Sequence, residues 1–349
     1  MRKSLCHDIF FAAALIILIA CVLTNSFLVF KGMQSAVKIC LETMIPSLYA
    51  MMILSELFIS CGFHNLLGKM LKAPAKLLFK SSGQVLAIFL FSQIAGYPVG
   101  TRMLISISDK INLSKKQISL LSGICFGGGP AFIFSLFANK KDDAFAVFLA
   151  CFLSNLIIFI FISRFIKADY NSTSDTFIGS KSFTTALTDA TVQSGTAILK
   201  ICAMIIMFGG LLGLKELPFI HNIAHEKYSE IILGMLEISR ITSLFPYGRE
   251  MLPYIGALLS FGGICVLMQL SALAKDRINT GYVFVTRIAA AALTWLLLFL
   301  RETFIREEQT ETAAAIIAHD NLNIVSFSPL PSLLLLVMTF ILLRSAEKK

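Results

Sequence analysis

Gln84-Val85-Leu86-Ala87-Ile88-Phe89-Leu90-Phe91-Ser92-Gln93-Ile94-Ala95-Gly96-Tyr97-Pro98-Val99-Gly100-Thr101-Arg102 is an apolar run with a break in its middle. Two glycines and a proline interrupt a helix at 96–100. The loop before it carries Lys69, Lys72, Lys76 and Lys80 with no acid, and the loop after it carries Lys110, Lys115 and Lys116 against Asp109. Basic loops favour the cytoplasmic side of a membrane. A single crossing over 84–107 would separate these two loops, whereas a re-entrant hairpin turning at Gly96–Gly100 keeps them together. Such backbone persists at membrane depth only where protein or a watery cavity satisfies its polar groups.

The rest of the chain supports a membrane setting. Of 349 residues, 56% are hydrophobic and 15% charged, and the mean hydropathy is +0.80, outside the soluble balance. A spanning helix needs about 20 mainly apolar residues. Apolar segments fall at 9–30, 39–62, 84–107, 117–138, 143–166, 186–214, 231–247, 253–274, 280–300 and 327–343. The expectation is an all-α polytopic protein with about eight full spans and two re-entrant or broken segments, 84–107 and 231–247, the latter broken near Pro246 and Gly248. The run at 9–30 follows Met1-Arg2-Lys3 and is longer than a signal core of about 7–15 residues, so it reads as a retained span. Both termini are expected in the cytoplasm, with Lys31 and Lys38 in an external loop.

Net charge is +9, but the lysines sit in short loops between spans, so the lipid bilayer and not nucleic acid is the implied partner. The eight cysteines are scattered without a CxxC or a ligand-spaced cluster, so no disulfide framework, metal or cofactor is expected. His221 and His225 stand four apart without a nearby third ligand. No HExxH, P-loop or convincing nucleophile set appears, and an enzyme is not expected.

An internal repeat is visible. Ser122-Gly123-Ile124-Cys125-Phe126-Gly127-Gly128 aligns with Ala257-Leu258-Leu259-Ser260-Phe261-Gly262-Gly263. Each match is preceded by a long apolar helix and a broken segment, and followed by a charged loop and another span. The expected organisation is an N-terminal span at 1–32, a first repeat at 33–167, a cytoplasmic linker at 168–184, a second repeat at 185–300, and an extracytoplasmic segment with a final span at 301–349. Halves that start on opposite sides form an inverted repeat, the architecture by which many secondary transporters place a midplane site between broken helices.

Gly96–Gly100, Cys125-Phe126-Gly127-Gly128-Gly129-Pro130-Ala131-Phe132, Leu236-Glu237-Ile238-Ser239 and Ser260-Phe261-Gly262-Gly263 ending in Gln269 resemble, in order, the YlbJ (SpoVV) family of sporulation integral membrane proteins, which carry nucleoside-recognition (Gate) domains. The chain departs from that family at Phe126 and Gly127, where asparagines are common, and at Arg240, where a glycine follows the Leu-Glu motif. The resemblance implies two Gate-like halves and movement of dipicolinic acid out of the mother cell across the outer forespore membrane.

A planar dianion needs positive potential, which half-helix N-termini and arginines near breaks supply. Thr101-Arg102 follows the Gly96–Gly100 break, and Phe126–Pro130 forms a second break from which a half-helix is expected to open at Ala131-Phe132, with Pro130 suited to its first turn. The expected substrate-binding residues in the first half are Gln93, Gly96, Pro98, Gly100, Arg102, Gly127, Gly128, Gly129 and Pro130. In the second half they are Glu237, Arg240, Gly262, Gly263 and Gln269. Glu237 and Arg240, three apart, are expected on one helical face where they would pair. A nucleoside or heterocycle permease and a structural component of a sporulation membrane complex are the competing functions. A second copy of the chain and another sporulation membrane protein are the candidate protein partners. Glu42, Glu56 and Lys200 stand inside spans as proton-coupling or charge-balancing groups.

Overall fold

The computed structural model describes residues 2–137, 140–165, 182–214 and 227–312. Contacts divide the chain into a unit at Met1–Phe304 and a second at Ile305–Lys349; of the second, only 305–312 is described, as the end of a helix. The segment 327–343, most of the 168–184 linker, His221 and His225 lie outside the described residues.

The described chain is helical. Among the described residues five helices are long and apolar enough to cross a membrane: Ser26–Ser60, Lys141–Arg164, Phe183–Gly213, Arg249–Arg277 and Thr280–Phe304, with a sixth if the pair Lys72–Phe79 and Gly83–Ala95, bent by 90°, counts as one. Apolar side chains face outward, with Leu77 at 80% and Phe27 at 74% exposure, while Arg287 is fully buried. This distribution suits a hydrocarbon solvent, in which ionisable groups turn toward the protein interior.

The N-terminal half opens with α1 (Arg2–Thr24), α2 (Ser26–Ile39), a π-turn (Cys40–Met44) and α3 (Ile45–Ser60). The expected boundary between the first two spans is corrected. The helix breaks at Asn25, whose amide Nδ2 donates to the Cys21 carbonyl at 3.1 Å, and then runs 35 residues from Ser26 to Ser60. Lys31 and Lys38 are therefore helical and not in a loop. Packing explains the continuity: a Cβ at Gly32 would lie 2.3 Å from the Gly209 carbonyl oxygen, and one at Gly213 would lie 2.4 Å from the Leu28 carbonyl oxygen. Small residues thus let two backbones touch, and Gly32 serves this contact where a break was expected.

Short helices α4 (Phe63–Met70) and α5 (Lys72–Phe79) lead to α6 (Gly83–Ala95) and α7 (Val99–Ser108), separated at Gly96–Pro98. A Cβ at Gly100 would lie 2.5 Å from the Ser92 Cβ, so the chain folds back on itself as the sequence predicts. Next, 117–138, counted as one crossing with a break expected at Phe126–Pro130, is α8 (Lys115–Ile124) and α9 (Pro130–Leu136) around a non-helical stretch at 125–129, as that break predicts. Three successive glycines favour the break, and Pro130 takes the first helical turn of α9, where its missing N–H costs nothing. Ser114 and Gln117 form a reciprocal capping box at the start of α8.

Then come α10 (Lys141–Phe165), α11 (Phe183–Gly213) and α12 (Lys227–Leu236), a 3-10 turn (Ile238–Leu244), α13 (Leu252–Phe261), α14 (Gly263–Ala274) and α15 (Thr280–Thr312). The 231–247 segment is broken near Pro246 and Gly248 as expected, with 245–248 non-helical, and also at Glu237, which is extended with φ −142° and ψ 116°. The first half thus runs long helix, two broken segments, long helix (α3; α6–α7 and α8–α9; α10). The same order recurs in α11, α12 with its 3-10 turn, α13–α14, and α15.

Polar contacts tie the two ends of this bundle. At one end Arg277 Nη2 pairs with Asp109 and donates to Ser108 Oγ at 2.7 Å, while the Asn279 N–H donates to Ser119 Oγ at 2.7 Å. The two basic loops after 107 and after 274 therefore share an end. At the other end Tyr247 donates to Asp143 at 2.7 Å and Arg301 lies 3.6 Å from Asp143. Asn279 and Arg301 are separated along α15 by roughly 33 Å at 1.5 Å per residue, close to the hydrocarbon thickness of about 30 Å.

Candidate functional site

Both broken segments of the first half meet those of the second. The Tyr97 N–H donates to the Gly127 carbonyl at 2.9 Å, joining the first two breaks. Gly96 has φ +80°, and a Cβ there would lie 2.9 Å from the Gly129 nitrogen. Only glycine meets both demands. Gly100 abuts the Cys125 carbonyl oxygen, and a Cβ at Gly129 would come 3.1 Å from the Ile94 carbonyl oxygen. Gly128 faces Ile133 and Tyr97, and Pro98 stands before the first turn of α7. The Tyr97 and Phe126 rings stack with centroids 4.8 Å apart. Gly262, at φ +83°, leaves room for the Phe126 ring, which a Cβ would approach to 2.5 Å. Gly263, at φ +85°, faces the Ile238 nitrogen and the Gly234 and Leu236 carbonyl oxygens. The Gly262–Gly263 bend of the second half thus bridges the Phe126 break and the Glu237 break.

At the centre of this crossing lies a residue the motif reading passed over. Arg287 of α15 donates from Nη1 to the Phe126 carbonyl at 2.7 Å and from Nη2 to Asn155 Oδ1 at 2.9 Å. Its guanidinium carbon stands 4.8 Å from the Phe126 ring centroid, an orientation worth about 0.5–2 kcal/mol. Asn155 of α10 donates in turn to the Phe126 carbonyl at 2.8 Å and to Gln93 Oε1 at 2.9 Å. Gln93 Nε2 reaches Ser92 Oγ at 3.2 Å and the Ile124 carbonyl at 3.3 Å, and Gly127 leaves space beside its Oε1. No carboxylate forms an ion pair with Arg287 among the described residues. Arg287 Nε, Tyr97 Oη, Ser122 Oγ and Ser260 Oγ are buried without a hydrogen-bond partner among the described residues. The signal for Arg287 was present: an arginine in the apolar 280–300 segment, and Asn155 in 143–166.

The second part of the site is a cavity of about 180 Å³ between α2, α11 and the Glu237 break, lined by Lys31, Ser35, Glu237, Ser239 and Arg240 among mainly apolar and glycine neighbours. The expected Glu237–Arg240 pairing on one helical face is corrected, because Glu237 is not helical. Its carboxylate Oε2 accepts from the Ser239 N–H at 2.9 Å and from Ser239 Oγ, and Arg240 lies 3.7 Å from Glu230. Lys31, expected in an external loop, lines this cavity through the continuous helix α2.

Two further expected site residues have partners of their own. Arg102 pairs with Glu56 of α3 at 3.2 Å and reaches Ser194 of α11 at 3.5 Å. Gln269 donates to Cys265 Sγ within α14 at 3.3 Å. Among the described residues no group of three His, Cys, Asp or Glu side chains could hold a metal ion.

A polar core of broken helices inside an apolar exterior defines an integral membrane protein of helical class. The chain is similar to the sporulation integral membrane protein YlbJ of Bacillus subtilis (strain 168), with 23% identity over 162 residues covering 45% of this chain and 40% of that protein. The match spans two fifths of that relative's length. No family model matches the chain, and no solved structure matches it.

Proposed function

We propose that the chain is a secondary-transporter-like permease for a small anionic metabolite, built from two inverted Gate-like halves. The observation that carries the reading is the cavity at the Glu237 break, with two cationic side chains, Lys31 and Arg240, to one lining carboxylate, beside the crossing of both halves' breaks. Irregular backbone that lines a cavity is the usual setting of a transporter site. Glycines at the crossing let packed elements approach closely, and the Arg287 cluster holds the crossing at membrane depth.

Dipicolinic acid, moved out of the mother cell across the outer forespore membrane, is the substrate we assign. The substrate rests on the motif resemblance, the sporulation setting also on the name of the Bacillus subtilis relative, and the anionic class on Lys31 and Arg240. The stacked Tyr97 and Phe126 rings favour a second reading, a nucleoside or other heterocycle, since a planar ring can replace one ring of such a pair.

Uptake of labelled dipicolinate into proteoliposomes tests the function, with nucleosides as competitors and Lys31→Ala and Arg240→Ala as variants. Saturable uptake that falls at least about tenfold in both variants, equivalent to about 1.4 kcal/mol of lost recognition, supports the anion site. Competition by nucleosides moves the substrate to a heterocycle. Absence of uptake with folded, inserted protein overturns transport in favour of a structural component.

A further inference from the structure

Glu237 is 3% exposed, stands where α12 gives way to the 3-10 turn, and lines the same cavity as Lys31 and Arg240. Both of its hydrogen bonds fall on Oε2, from the backbone and hydroxyl of Ser239. Oε1 has no hydrogen-bond partner among the described residues. An anion entering this cavity meets Lys31 and Arg240 as attractive charges and Glu237 as a repulsive one, in a setting where low dielectric magnifies both. Protonation removes the repulsion. It also gives the carboxyl a donor, which a carboxylate ligand accepts.

We infer that Glu237 is a proton-binding site of the cavity and that its protonation accompanies binding of the anion, so that the proton is the coupling ion. This rests on the permease reading for the identity of the anion, while the proton site stands on the cavity and the break. The step is Glu237 carboxylate plus one proton from the aqueous phase giving the neutral acid, with no other bond changed. By linkage the effect is reciprocal: proton uptake tightens anion binding, and the bound anion raises the affinity for the proton. Among the described residues the groups within electrostatic reach of Glu237 are Arg240, itself paired with Glu230, Lys31 across the cavity, Cys40 of the π-turn, Cys265 of α14 and Tyr97 at the first break.

Infrared difference spectra of the purified full chain in lipid, taken as pH is stepped, read the carboxyl directly and need no ligand. The expected result is a carboxylic-acid carbonyl band that appears on acidification, is absent in Glu237→Gln, and shifts in Ser239→Ala. Glutamine can still accept from Ser239, so the variant keeps the local turn. Absence of any such band from Glu237 overturns the proton site whatever uptake shows. With the band present, adding dipicolinate is expected to move its midpoint to higher pH, and dipicolinate affinity is expected to weaken about tenfold per pH unit above that midpoint while staying level in Glu237→Gln. A midpoint that bound dipicolinate does not move overturns the coupling. Failure of dipicolinate to bind at all counts against the permease substrate alone, because the band by itself decides whether Glu237 takes a proton.

Discussion

Arg287 and Asn155 should be energetically coupled to a degree that can be worked from one hydrogen bond. Arg287 Nη2 donates to Asn155 Oδ1 at 2.9 Å inside a fully buried cluster, and a bond with a charged donor contributes about 1.5–3 kcal/mol. Asn155→Leu also removes the bonds to Gln93 and the Phe126 carbonyl. Those losses occur in both the single and the double variant and cancel in a cycle. Arg287→Met alone further removes the donor to the Phe126 carbonyl, so two hydrogen bonds from a charged donor, at about 1.5–3 kcal/mol each, are lost. Unfolding of wild type, Arg287→Met, Asn155→Leu and the pair, titrated with SDS in mixed micelles, gives the four free energies. The double variant should lose about 1.5–3 kcal/mol less than the sum of the singles. Additivity within about 0.5 kcal/mol, or an Arg287→Met protein as stable as wild type, would refute the view that this guanidinium binds the three elements together.

Gly32→Val and Gly213→Val should each prevent assembly of α2 against α11, because the added carbons meet backbone oxygens at 2.3 and 2.4 Å; size-exclusion elution in detergent, with Gly195→Ala as the tolerated control, tests this. Gly262→Ala combines a left-handed φ of +83° with a 2.5 Å approach to the Phe126 ring and should cost more than about 2 kcal/mol; pairing it with Phe126→Leu should recover the part due to the clash in the same SDS titration. His64 lies outside the candidate spans and is buried, and that burial holds its imidazole below the ordinary histidine value. The folded state then binds fewer protons than the unfolded one, so stability is full above the unfolded value and falls as pH drops through it toward the folded value. His64→Gln should flatten that acid limb in thermal unfolding followed against pH.

Much of the helical architecture could be read from local signals. The hairpin at Gly96–Gly100 followed from two basic loops and a glycine–proline break, and the fold-back of α7 on α6 agrees with it. Pro130 as the first residue of α9 followed from the chemistry of the helix start. The 117–138 segment counts as one span by hydropathy, which averages over its three glycines, while those glycines and Pro130 mark the break at Phe126–Pro130 that splits it. The 231–247 segment read as broken at Pro246 and Gly248 because those residues are visible breakers. They do interrupt it at 245–248; its further break at Glu237 involves a carboxylate that accepts from Ser239 two residues on and Gly263 packed against that turn, the latter supplied only by tertiary structure.

What the sequence by itself determined is the apolar length of the segments, the charge of their connections and the places where glycine or proline forbids a continuous helix. These are properties of a residue and its nearest neighbours, and the bilayer converts them directly into spans and breaks. Which breaks meet was decided only by tertiary structure. Arg287 and Asn155 look like isolated polar residues in separate apolar runs until α10 and α15 bring both to the Phe126 carbonyl, and Lys31 looks like a loop lysine until Gly32 seats α2 against α11. The physical reason is that a buried polar group is stabilised by its partners, and those partners are supplied by elements more than a hundred residues away.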